Sequence, residues 1–110
     1  MLRFLQEAIN LHWTDKSYSA EFRASPCQYK DFQHAVMHAL KAGTKLMEMV
    51  EEADHTGPEG AFPPEKVEKF VADLVICAVR LANKTPGGQL DLERAVFARI
   101  EQKMGVKLAE

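Results

Sequence analysis

Cysteine is scarce in this 110-residue chain, aromatic residues are few, and no long apolar run exists. The two cysteines, Cys27 and Cys77, stand far apart and form no metal-type pair. They read as free thiols of a reducing cytoplasm, Cys77 as a small core residue. Aromatics make up 8% of the chain and are not interleaved with basic residues, which argues against a nucleic-acid platform. No segment reaches the ~18 apolar residues that span a bilayer. The opening stretch from Met1 to Glu7 breaks its apolar character too early for a signal peptide. Charge of neither sign dominates: the net value of -2 gives no reason for non-specific attraction to nucleic acid or an anionic membrane. A Gly-rich phosphate loop and a Ser/His/Asp or Cys/His nucleophile pattern are both missing. The expectation is a cytoplasmic protein that binds neither nucleic acid nor membrane.

What is present fits one globular domain, residues 1–110, with 46% apolar and 27% charged residues. The pattern predicts an all-α fold of four helices. Leu2, Leu5, Ile9 and Trp13 give a first helix over 2–13, followed by a polar connection over 14–24. The core helices occupy 25–104. Ser25, Pro26 and Gln28 form a capping-box start. From there a second helix should run to about His55. Its apolar seam reads as Phe32, Val36, Ala39, Gly43, Leu46, Val50 and Ala53, with Gly43 marking a kink or a close approach of another helix. A Gly- and Pro-rich loop leads to a third helix over 65–83. That helix is apolar almost all round from Phe70 to Ala82, so it should be central and covered in part by a partner subunit. Asp91 should cap a fourth helix that stops at Gly105.

One carboxylate is out of place. Asp73 is the only charge between Phe70 and Val79. A bare buried charge is costly, so Asp73 should find a cation, a metal or several donors. Arg80 two turns on, Lys69 or Arg99 would make a structural ion pair. Alternatively, Asp73 belongs to a metal site. Glu48 and Glu51, three apart on the second helix, could chelate Mg²⁺ if Asp73 faced them. Glu52 and Asp54 extend that acidic cluster, which could equally serve only to solvate the helix end. His34 and His38 have the i,i+4 spacing that lets two imidazoles share one zinc ion. They lie on a stripe with Lys41 and Lys45 that is polar throughout, as surface histidines would. Arg99, Lys103 and Lys107 form a basic stripe able to hold phosphates or simply to face water.

The segment from Ala72 to Ala82, a Gly-containing turn, and the segment from Leu90 to Val96 resemble the second half of MazG-like nucleoside triphosphate pyrophosphohydrolases. The likeness covers about residues 28–104. It implies an all-α protomer whose helical bundle is completed by oligomerisation, as a homodimer or higher homo-oligomer. It also implies a nucleotide ligand and Mg²⁺, with Mn²⁺ as substitute, held by E-x-x-E on one helix and E-x-x-D on the next. Asp73 matches the Asp of the second motif, but its Glu falls at Phe70, and nearby Glu68 is on another face. Glu48 and Glu51 fit the first motif by letter. A second register puts Ala42 and Lys45 at those two positions instead. Arg99 sits where such proteins often carry a basic residue, and Lys103 near a frequent Asn, which suggests phosphate contacts. Two functions follow. One is a pyrophosphohydrolase-type protein with an incomplete metal site at Glu48, Glu51 and Asp73, where Mg²⁺ would clamp phosphates and activate water. The other is a non-catalytic helical dimer that binds a nucleotide or a protein.

Overall fold

A computed structural model describes residues 1–12 and 28–108, which form four helices and no strand. They are α1 (Leu2–His12), α2 (Gln28–Thr56), α3 (Pro64–Asn83) and α4 (Leu92–Met104). No helix is long and apolar enough to cross a membrane. The expected capping box, the 14–24 connection, Trp13 and Cys27 fall outside the described residues.

Local chemistry explains where these helices begin and end. At the end of α2, Gly57 adopts φ +93° and donates its amide to the Ala53 carbonyl at 2.8 Å. Such a left-handed residue closes a helix at no steric cost when it is glycine. Pro64 occupies the first turn of α3, where its missing N–H is no loss. The Asp91 carboxylate accepts from the Arg94 amide at 3.2 Å, as an N-cap should. That bond, with Arg3 beside it, holds the Asp91 carboxyl below the usual carboxylate range. Gly105, at φ +66°, ends α4 with its amide on the Glu101 carbonyl.

A short link over residues 57–63 folds α2 and α3 into an antiparallel hairpin, the largest interface among the described helices. α1 packs on α3 and α4. The α2 face turned inward carries Ala35, Ala42 and Met49, one heptad apart. It is rotated by one residue from the expected seam, since Val36 and Gly43 are only half-buried and Val50 is 43% exposed. The reason is that α2 has two apolar stripes. One packs on α3. The other, Val36, Leu40, Gly43, Met47 and Val50, faces away and has Leu40 67% and Met47 61% exposed. α2 shows no break at Gly43, and a Cβ added there would meet nothing within 4 Å.

The core holds small side chains. Ala35, Ala42, Ala61, Ala82, Cys77, Val79 and Met49 are buried, while Met37, Leu40, Met47, Val71, Val75 and Phe97 are exposed. The described helices therefore do not enclose α3, because Val71, Ala72, Val75 and Ala78 are exposed. The Cα radius of gyration is 16.8 Å, against about 13 Å for a compact 100-residue domain. The described helices form an open, thin layer.

At the C-terminal end of α3 lies a clasp of neutral amides that joins three helices. Gln6 Nε2 donates to Asn83 Oδ1 at 3.1 Å and to the Leu90 carbonyl at 2.7 Å. Gln6 Oε1 accepts from the Leu92 amide at 2.9 Å, and Asn83 Nδ2 donates to the Gln6 carbonyl at 3.1 Å. Both side chains are buried. Burying amides is tolerable only when they are paired, and here every polar atom of Gln6 has a partner.

Candidate functional site: a cationic groove between the hairpin helices

α2 and α3 leave a groove of about 560 Å³ between them. That volume lies in the range of small-molecule sites, roughly 300–1,000 Å³. Helical periodicity supplies its walls. His38, Lys41 and Lys45 rise along one side of α2, with Ala42 beneath them. Lys69, Asp73, Ile76 and Arg80, spaced 4-3-4, line the facing side of α3 with Phe70 and Cys77. Residues three and four apart share a helix face, so these two runs converge on one space.

The groove is electrically one-sided. Among the described residues that line it, Lys41, Lys45, Lys69 and Arg80 are cationic and Asp73 is a carboxylate. Arg80 is 7% exposed, so its charge acts through a poorly solvated wall. Lys45 Nζ lies 3.8 Å from Glu48 Oε2, an exposed pair of the kind that water and salt weaken. Lys69 Nζ sits 5.9 Å from the centre of the Phe70 ring, about the limit of a cation–π contact.

Asp73 is half-buried at this groove, and among the described residues it has no ion-pair partner. The expectation of a structural pair with Arg80, Lys69 or Arg99 thus gives way to a carboxylate that water reaches. Partial exposure removes the desolvation cost that would have demanded a partner. Cys77, one turn on and 4% exposed, has its thiol pKa raised. Burial is the main cause. The Asp73 charge adds to it and the Arg80 guanidinium opposes it. A thiol so placed stays protonated at neutral pH and is no nucleophile.

Glu48 and Glu51 are exposed on α2, and neither lines the groove beside Asp73. The α2 residues that do are Ala42 and Lys45. Those are the two positions of the second register of the E-x-x-E motif. Phe70 and Asp73 stand across from them at the two positions of E-x-x-D. All four motif positions meet in one groove, but they carry a methyl group, an ammonium, a phenyl ring and one carboxylate. A hard divalent ion takes oxygen donors and usually one or two carboxylates of its own. This donor set does not fit Mg²⁺ or Mn²⁺. Among the described residues, no three His, Cys, Asp or Glu side chains are grouped so as to hold a metal.

Arg99 and Lys103 lie exposed on α4 and do not line the groove. Arg99 Nη1 donates to Gln102 Oε1 at 2.7 Å. His34 and His38 do meet, with Nε2 atoms 3.1 Å apart and ring centres 4.3 Å apart. One ring donates and the other accepts. The sequence showed Lys41 and Lys45 on the polar stripe of α2 but not that Lys69, Asp73 and Arg80 stand opposite them. That arrangement could have been found by setting the stripe His38, Lys41, Lys45 against the stripe Lys69, Asp73, Arg80 as facing walls.

No family model, curated protein or solved structure matches this chain.

Proposed function

We propose that this protein is a MazG-like helical dimer that keeps the scaffold of nucleotide pyrophosphohydrolases without their metal-dependent hydrolysis, and acts as a nucleotide-binding module. The observation that carries this reading is the groove in which Ala42, Lys45 and Phe70 surround Asp73. Phosphoryl chemistry of this type relies on divalent cations to neutralise developing charge and activate water. A lysine can neutralise phosphate charge, but it holds no water for attack.

The dimer is supported by the outer stripe of α2. Val36 and Val50 lie seven residues either side of Gly43, and Leu40 and Met47 lie between. A stripe nearly symmetric about its midpoint can pair with itself antiparallel, which is how a two-fold interface is built. Val36 would then meet Val50 of the second copy, and the open space over Gly43 admits the crossing helix. Burying such side chains offsets the small-residue core, at about 25 cal/mol per Å² of apolar surface.

Two measurements on the purified chain decide the matter. Pyrophosphate release is assayed from a full panel of NTPs and dNTPs with Mg²⁺ and with Mn²⁺, and mass is measured in solution. The expected result is a dimer with no release. Release that Glu51→Gln abolishes would instead establish an active hydrolase with its metal at Glu48, Glu51 and Asp73.

A further inference from the structure

We infer that His34 and His38 form a two-imidazole site on α2 for a borderline divalent transition ion of the Zn²⁺ or Cu²⁺ kind, completed by water. None of Glu48, Glu51 and Asp73 takes part, so the site stands apart from the nucleotide reading. The i,i+4 spacing puts both rings on one face of an unbroken helix. There the two Nε2 atoms converge to 3.1 Å, with ring centres 4.3 Å apart. That separation is the bite a metal needs. Two nitrogens about 2.0–2.1 Å from a tetrahedral ion stand about 3.3 Å apart, and at adjacent corners of a square-planar ion about 2.9 Å apart. The observed distance falls between the two, so small ring rotations suffice to aim both lone pairs at one ion. The rings stand on a turn of helix whose neighbouring Ala35 is fully buried. A site built on a packed helix holds its geometry better than one on a loop. His38 is exposed and His34 half-buried, so an ion can reach the pair from solvent.

The chemistry of the pair selects the ion. At present one Nε2 carries a proton that the other accepts. Coordination uses both Nε2 lone pairs, so the donor ring shifts that proton to its Nδ1 and neither ring changes charge. Each Nδ1–H can then donate to a partner on its far side, as ligating histidines do. Imidazole nitrogen suits Zn²⁺, Ni²⁺ and Cu²⁺, Cu²⁺ most of all, and suits Mg²⁺ poorly. Lys30, four residues before His34, and Lys41, three after His38, are exposed, and their stems can turn the charge into water. Asp31, three residues before His34, adds a negative charge on the same side. His38 also lines the α2–α3 groove, so an ion held by the pair sits at the groove's edge, with its remaining positions left to water.

Calorimetric titration of the metal-free full chain with Zn²⁺ tests this, beside electron paramagnetic resonance of the chain with one equivalent of Cu²⁺. One ion per chain is expected, and the Cu²⁺ spectrum should show coupling to two imidazole nitrogens. His34→Gln and His38→Gln should each weaken Zn²⁺ binding roughly 100-fold, since two linked donors exceed one by about 10²–10⁴. His55→Gln, at the far end of α2, should leave it unchanged. The Cu²⁺ spectrum of the unsubstituted chain keeps the test decisive where a substituted chain does not fold. Binding unmoved by either substitution, loss on only one of them, coupling to a single nitrogen, or no binding of either ion would overturn the site.

Discussion

Two faces of α3 handle polar chemistry in different ways. At its C-terminal end, Gln6, Asn83 and Gln89 close a neutral network whose donors and acceptors are matched within the chain. From Lys69 to Arg80, another face lines a groove opposite Lys41 and Lys45, with Asp73 among the described lining residues. A satisfied network asks for no ligand and fixes geometry. Cationic side chains lining a concave site raise the local concentration of anions. The first region is a structural joint and the second the proposed binding surface, and the contrast can be broken from either side.

The largest effect should come from the clasp. Gln6→Ala strands the Leu92 amide, the Leu90 carbonyl and part of Asn83, and is expected to cost about 2–3 kcal/mol, within the range for leaving buried polar groups unpaired. Urea denaturation checks this, and a loss no greater than that of an exposed substitution would remove the clasp from the structural argument. Asp73→Asn sits in the other region and should behave differently. With no ion-pair partner to strand, it should shift stability by under ~1 kcal/mol.

Leu40→Asp places a charge in the outer stripe of α2 and should turn the proposed dimer into a monomer, read by light scattering. Cys77 should react with a thiol reagent only as fast as the chain opens, because burial keeps its thiol protonated and covered. Fast labelling of native protein at Cys77 would mean the hairpin is looser than described. The smallest effect concerns Asp91. Its folded pKa is depressed, so its cap contributes fully above the unfolded carboxylate value of about 3.9. That contribution fades as pH falls through the folded value. Asp91→Asn, which can still cap, should flatten this part of the acid limb of the stability profile.

The helices were legible in the sequence because their end signals are local. Pro64, Asp91, Gly57 and Gly105 each act through their own backbone, and the boundaries they mark agree with the structure to within a residue or two. The inner seam of α2 was less legible. Two apolar stripes on one helix blur into a single periodicity, which points between them, and only contact with α3 selects Ala35, Ala42 and Met49. The Gln6–Asn83 clasp left no trace, since a glutamine has no preference for burial until its partners arrive from 77 residues away. The groove was half legible. Asp73 stood out by its surroundings, and both registers of the acidic motif could be written down. Choosing between Glu48 with Glu51 and Ala42 with Lys45 needed the rotation of α2 about its axis, which tertiary packing sets.

The most direct test compares the natural chain with one whose acidic motif is rebuilt. Ala42→Glu, Lys45→Glu and Phe70→Glu together would place three carboxylates beside Asp73 in the same groove. Thermal melting of both proteins is followed in EDTA and in millimolar Mg²⁺, since a ion bound only by the folded state raises the melting temperature. The expected result is no response to Mg²⁺ in the natural chain and a clear rise in the rebuilt one. A rise in the natural chain that Glu51→Gln abolishes would contradict the central claim, and would return the metal to Glu48, Glu51 and Asp73.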